Sequence, residues 1–201
     1  MTHRLGTRLL AVLLPATALL LPGAAHAEKV VTLDPAGDAT VVGWIAEEGA
    51  ELPPPPDPSP ADIVRTVGAH GKKRLAVTVH FRDLAGAQEH SMRILVRTGT
   101  GPFLVEVKAE EGRRTRARLL GRGGAIDCRA LRARLDRGGD LVAVSVPTAC
   151  LSSPRWVRLG VTAFSPLPMT DPAVLASTVD DGHRETVRPR STGTGPRIHR
   201  G

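Results

Sequence analysis

The sequence is poor in aromatic residues and in cysteine. Its 201 residues include no tyrosine, three phenylalanines, two tryptophans and two cysteines. A sugar-binding sandwich normally presents a flat platform of exposed aromatic rings, and so few rings do not favour one here. The low cysteine count likewise rules out a scaffold held together by many disulfides.

Recognisable catalytic and phosphate-binding motifs are missing as well. The chain has no His-Glu-x-x-His pair and no Gly-x-Ser-x-Gly nucleophile turn. Its glycine-rich turns at residues 99–101, 121–124 and 138–139 lack the lysine of a phosphate-binding loop. We therefore predict no catalytic residue, although a triad assembled from distant positions stays open.

The first 27 residues predict a cleaved secretory signal. Arg4 and Arg8 precede an uncharged apolar run, and Ala25 and Ala27 supply the small residues of a cleavage site. The run is too short to span a bilayer, and Pro15 interrupts it. We expect a secreted protein with no transmembrane span.

Cys128 and Cys150 are predicted to form a disulfide. An even number of cysteines in an exported chain favours a bridge over free thiols. Their spacing is not Cys-x-x-Cys, and no histidine lies between them, so neither a redox pair nor a metal site is supported. A bridge that closes this loop would contribute about 3 kcal/mol.

The chain is mildly basic. It carries 27 Lys and Arg against 20 Asp and Glu, and without residues 1–27 the surplus is five. Such a surplus favours anionic partners, but arginine enrichment through a GC-rich composition explains it better than a dedicated polyanion site. The basic residues on predicted strand surfaces are Arg74, Arg82, Arg93, Arg97, Arg116 and Arg118.

Residues 28–188 predict one all-β domain, an antiparallel, jelly-roll-like β-sandwich of about nine short strands. Apolar and polar residues alternate in runs of 5–10 residues separated by glycine, proline and aspartate turns, as at residues 74–83. A predicted hairpin pairs residues 126–135 with residues 141–146. Residues 53–60 predict a proline-rich surface loop, and residues 189–201 predict a flexible basic tail.

Two small sets of residues suggest ligand contacts. Five aspartates could meet at one end of the sandwich and bind calcium through their carboxylates; the alternative is that Asp34 and Asp38 cap turns. They are Asp34, Asp38, Asp62, Asp180 and Asp181. Trp156 and Arg158 share a strand face and, with Trp44, are candidate ligand contacts, although burial of Trp156 by packing is favoured. No cofactor other than calcium is suggested.

Several short segments carry a resemblance to known proteins. These are residues 34–38, 62–65, 77–84, 146–151, 154–158, 180–181 and 195–197. Together they resemble a group of small exported actinobacterial proteins of unknown function, which implies no activity. The aspartate-containing opening before paired strands is also similar to DOMON-like and family 9 carbohydrate-binding modules. That second resemblance implies a ligand-binding sandwich, sometimes with structural calcium.

These observations predict a secreted, non-catalytic interaction module whose partner is a protein or an anionic envelope polymer. A nucleic-acid partner is not expected. Two alternatives stay open: a secreted hydrolase with a spatially assembled site, and a calcium-dependent carbohydrate-binding module.

Overall fold

The computed structural model describes residues 27–45, 51–169, 174–188 and 191–201, which form thirteen β-strands and no α-helix. The predicted secretory signal lies almost wholly outside these residues. The first seven strands are β1 (Glu28–Leu33), β2 (Thr40–Ile45), β3 (Ile63–His70), β4 (Arg74–Phe81), β5 (Glu89–Thr98), β6 (Gly101–Glu110) and β7 (Arg116–Gly121). The other six are β8 (Gly124–Ile126), β9 (Arg132–Asp136), β10 (Leu141–Pro147), β11 (Trp156–Pro166), β12 (Val174–Asp181) and β13 (Arg197–His199).

The strands form two antiparallel sheets that pack face to face. The smaller sheet has the order β1-β3-β4-β10-β9, and the larger sheet has the order β2-β12-β11-β5-β6-β7-β8. Strand β13 also pairs with β11 but is not part of this linear strand order. The prediction of an all-β, antiparallel sandwich is confirmed.

The core forms where the alternating apolar residues of the two sheets meet. Val77 and Val79 of β4 point inward, and so do Ile94 of β5 and Val161 of β11. Each is at most 1% exposed. Their polar neighbours in sequence lie on the outer faces, because side chains alternate along a strand. The period of two in residues 74–83 therefore correctly predicted which side of β4 is buried.

The predicted disulfide is present, and the predicted hairpin around it is confirmed only for residues 132–136, which pair with residues 141–145. The Cα atoms of Cys128 and Cys150 are 6.0 Å apart, and their sulfur atoms are bonded. Residues 126–135 do not form one strand: β8 pairs with β7 in the larger sheet, whereas β9 pairs with β10 in the smaller one. Cys128 lies in the crossing between the sheets, and Cys150 lies in a 3-10 helix, Thr148–Leu151. The disulfide thus fixes a crossover rather than a hairpin end.

The C-terminal region is more ordered than the sequence predicted. Strand β12 lies between β2 and β11, inside the larger sheet. The prediction of a flexible tail over residues 189–201 is wrong for β13, whose Ile198 is 2% exposed and belongs to the core cluster. The backbone of Ile198 pairs with that of Val157. Residues 189 and 190 lie outside the described part of the chain.

The proline-rich segment forms no strand, as predicted. It contacts the sandwich through Asp57, which pairs with Arg82, and through Ser59, whose carbonyl accepts a hydrogen bond from the backbone N–H of Asp62 at 3.1 Å. In the part of the chain that the structure describes, no helix has the length and apolar character that a membrane span requires.

Candidate metal centre

Asp34 enters the space between the sheets because it continues the inward face of β1. Val30 and Thr32 are half-buried, whereas Val31 and Leu33 are 51% and 76% exposed. The same alternation brings Asp34 inward. Its backbone N–H donates to the carbonyl of Val64 at 3.2 Å, which extends the contact of β1 with β3.

A tight turn brings Asp38 back beside Asp34. Gly37 has φ +88°, a conformation that glycine adopts without steric cost. The backbone N–H of Gly37 donates to Oδ2 of Asp62 at 2.8 Å, so the turn is fixed to the residue that precedes β3. The turn sequence read from residues 34–38 therefore places two carboxylates side by side.

Asp180 comes from the other sheet. It is 1% exposed and pairs in register with Ala163 of β11, on the inward face of β12. Its Oδ2 accepts a hydrogen bond from the backbone N–H of Ile63 at 2.7 Å, and its Oδ1 accepts one from Asp181 at 2.7 Å. These bonds fix the carboxylate and leave each oxygen with further lone pairs for a cation.

The three residues Asp34, Asp38 and Asp180 form what we call the aspartate cluster. Each offers a carboxylate oxygen within 4.8 Å of those of the other two. Two oxygens bound to one calcium ion at about 2.4 Å can be no more than about 4.8 Å apart, so this spacing fits a shared ion. Oδ2 of Asp34 and both oxygens of Asp38 are buried and have no hydrogen-bond partner among the described residues.

The carboxylates of the cluster lie in an environment that disfavours their negative charge. Burial, followed by repulsion from Asp180 and Asp38, raises the pKa of Asp34 to about 8. Burial is also the main cause that raises the pKa of Asp180 to about 7, against the opposing effect of its backbone hydrogen bonds. Burial raises the pKa of Asp38 as well. Without a cation, the folded protein therefore holds protons here at neutral pH.

Of the other two predicted ligands, Asp62 adjoins the cluster and Asp181 lies apart. Asp62 is fully buried, and its Oδ1 has no hydrogen-bond partner among the described residues. Its nearest cation is Arg82, at 3.8 Å. Asp181 lies on the opposite face of β12, where its Oδ2 accepts a hydrogen bond from the backbone N–H of Gly193 at 2.7 Å.

The predicted tryptophan contacts do not come together. Trp156 begins β11 and is half-buried, with the guanidinium of Arg197 lying 4.5 Å from its ring centre. Arg158 is exposed on the same strand. Trp44 lies beyond the other end of β11, in β2, where its backbone pairs with that of Leu175. The strand β13, which sequence reasoning missed, supplies the arginine that covers Trp156.

The histidines are distributed without a catalytic arrangement in the described residues. His90 is buried against the edge of the Phe81 ring, with centroids 4.7 Å apart, and burial lowers its pKa to about 4. His80 contacts the guanidinium of Arg65. No histidine side chain in this part of the molecule forms a hydrogen bond with a serine or a carboxylate. Sequence reasoning missed the burial of His90, although its position continues the inward face of Met92 and Ile94 in β5. It also missed the burial of His70, which ends β3.

The chemistry of the cluster favours a hard cation. It offers carboxylate oxygens only, the ligands that calcium prefers, whereas zinc sites usually include histidine or cysteine. Magnesium requires a tighter octahedral shell with several waters, which a half-buried cluster of protein oxygens accommodates less well.

Comparison with known proteins adds no family to this description. A scan against models of protein families finds no match to the chain. A search of curated proteins finds no match either.

Proposed function

We propose that this chain is a non-catalytic β-sandwich interaction module of the cell exterior, and that one end of the sandwich is organised by a bound calcium ion. The observation that supports the proposal is the aspartate cluster, with its buried and unpartnered carboxylate oxygens. A buried carboxylate oxygen without a partner is costly, so a protein that places those of Asp34 and Asp38 beside Asp180 gains from a cation that binds all three carboxylates.

The position of the cluster suggests what the ion does. Asp34 follows β1 of the smaller sheet, whereas Asp180 belongs to β12 of the larger sheet. Asp62, which adjoins the cluster, is bonded to the turn between Asp34 and Asp38. A cation at this point would hold the edge strand of the smaller sheet, β12 of the larger sheet and the turn in one arrangement. It would therefore act as a structural ion that fixes the loops at this end.

Three oxygens from the cluster do not complete a calcium shell, which needs six to eight. Bidentate coordination by Asp38, the free oxygen of Asp62 and water would supply the rest. Asp34 and Asp38 are half-buried as residues, whereas Oδ2 of Asp34 and both oxygens of Asp38 are themselves buried.

The hydrolase alternative requires His80 or His90 beside an acid and a serine. His90 instead packs against Phe81, and His80 contacts Arg65.

The carbohydrate-module alternative requires an exposed tryptophan near the aspartates, whereas Trp156 is partly covered by Arg197.

The disulfide between Cys128 and Cys150 is consistent with an extracellular location.

Thermal unfolding with calcium or with a chelator tests the calcium site. At a free calcium concentration of 100 times Kd, binding contributes about 2.7 kcal/mol, which raises the midpoint of a domain of this size by about 5–10 °C. The variant Asp38→Asn should lose this rise. Asp127→Asn, which changes an exposed carboxylate paired with Arg129, should keep it. Equal midpoints with calcium and with chelator would overturn the proposal.

A further inference from the structure

We propose that the outer face of the larger sheet binds a linear anionic polysaccharide in a groove rich in arginine. This inference rests on the proposed function, because it names the partner of the interaction module. It is carried by a different set of residues, on the opposite face of the sheet from the aspartate cluster.

The groove has a volume of about 790 Å³ and crosses β5, β6, β7, β11 and β12. Six cationic and two acidic side chains line it, a surplus of four positive charges. The cations are Arg93, Lys108, Arg113, Arg114, Arg116 and Arg118, and the acids are Glu106 and Glu110. We call this surface the basic groove.

Strand register arranges these charges in two rows. In one row Arg93 and Arg118 lie on either side of Glu106. Glu106 is 17% exposed, contacts Arg93 at 3.6 Å and pairs with Arg118. Its negative charge is therefore neutralised within the sheet and does not repel an incoming anion. Glu110 is similarly paired with Arg113, at 2.6 Å.

In the second row two cations face each other. Lys108 and Arg116 are directly opposite on β6 and β7. Like charges in this position destabilise a strand pair. Glu89 lies 3.9 Å from Lys108, but among the described residues no carboxylate lies within 4.0 Å of Arg116. An anionic group bound between the two side chains would relieve their repulsion.

The basic groove offers little exposed apolar surface. Met92 and Val107 border it, but their side chains belong to the core and are 1% and 2% exposed. The guanidinium of Arg93 lies 5.3 Å from the centre of the Phe164 ring, which holds this arginine over the sheet.

These features favour a polysaccharide over other polyanions. Single-stranded nucleic acids stack their bases on aromatic rings, and the one ring of the groove, Phe164, is already covered by Arg93. A protein partner requires exposed aromatic or aliphatic residues at the centre of the contact. Here Met92 and Val107 face the core, and the half-buried Phe164 ring lies beneath Arg93. A chain with regularly spaced carboxylate or sulfate groups requires only the cations, and guanidinium groups bind such groups in bidentate fashion.

Affinity for defined polymers tests the inference. Calorimetric titration of the disulfide-bonded protein with heparin and with alginate should give binding that weakens as salt increases, whereas neutral dextran should give none. The variant K108Q/R116Q should bind at least about tenfold more weakly, since each lost contact is a hydrogen bond to a charged group. The matched variant R129Q/R134Q removes two exposed arginines elsewhere and should change affinity less than about twofold.

Equal weakening by both double variants would show that binding depends on net charge alone and would overturn the inference. Absence of binding to both acidic polymers, or tighter binding to single-stranded DNA than to either, would also overturn it. A protein that calcium stabilises but that binds no polysaccharide contradicts only this inference. Binding at the basic groove with midpoints insensitive to calcium contradicts only the proposed calcium site.

Discussion

Asp34 and Asp180 come from different sheets and from distant parts of the sequence, yet each offers a carboxylate oxygen within 4.8 Å of the other. After burial, repulsion from Asp180 does most to raise the pKa of Asp34. This pair is the centre of our account, because a cation between the two would convert repulsion into attraction.

Replacing Asp34 by asparagine should have opposite effects with and without calcium. In chelator, Asp34→Asn removes a carboxyl group whose ionised form the folded protein disfavours, and we expect its unfolding midpoint to rise by a few degrees. With saturating calcium the variant lacks a ligand, and its midpoint should fall below that of the parent. Calorimetric scans of both proteins under both conditions provide the measurement.

Asp136→Asn is a suitable control, since Asp136 pairs with Arg134 at the far edge of the smaller sheet. Its effect on the midpoint should be the same with calcium and with chelator. A destabilisation by Asp34→Asn of equal size in both conditions would contradict a cation site at Asp34.

The stability of the calcium-free protein should fall as pH rises from 6.5 to 8. The pKa of Asp34 is raised to about 8 and that of Asp180 to about 7, from an ordinary value of 3.8. The folded state therefore binds more protons than the unfolded state in this range, and stability decreases with pH until those protons have left. Burial lowers the pKa of His90 and that of His183 from 6.5 to about 4, so these two groups oppose the trend mainly near and below pH 6.5.

Urea unfolding in chelator at pH 6.5, 7.25 and 8 gives the free energy of unfolding needed for this test. Saturating calcium should flatten the dependence, because the ion replaces the protons. A calcium-free stability that stays constant or rises over this range would show that Asp34 and Asp180 do not hold the expected protons.

The C-terminal strand should be required for stability. Ile198 is 2% exposed in the core cluster, and shortening it to alanine removes about three buried methyl or methylene groups. We expect Ile198→Ala to lower the free energy of unfolding by about 2–5 kcal/mol. Arg200→Ala, at an exposed position two residues on, should lower it by less than about 1 kcal/mol. Urea unfolding of the two variants makes the comparison, and equal small losses would mean that β13 does not pack as described.

The sequence predicted the strands whose two faces differ most. The run from Leu75 to Phe81 alternates apolar and polar residues, so its buried side could be assigned before its partners were known. Strand β12 was missed because its inward residues, Ala176, Thr178 and Asp180, are small or polar and produce no apolar period. Strand β13 is only three residues long, and its pairing with β11 depends on a contact between distant segments.

The candidate sites could be predicted only in part, for a related reason. Turn residues placed Asp34 and Asp38 together, but only the strand order shows that Asp180 joins them and that Asp181 faces away. Alternation put arginines on outer faces without showing which of them share a sheet. Arg93, Arg116 and Arg118 meet in the basic groove, whereas Arg74 and Arg82 lie on or beside the smaller sheet.

Calorimetric titration of calcium into the chelator-treated protein tests the central claim most directly. Asp38→Asn is the best variant, because neither oxygen of Asp38 accepts a hydrogen bond from another of the described residues. We predict one calcium ion per chain for the parent and for Asp127→Asn, and at least about tenfold weaker binding for Asp38→Asn. An absence of calcium binding by the parent, or the same affinity for Asp38→Asn, would contradict the account.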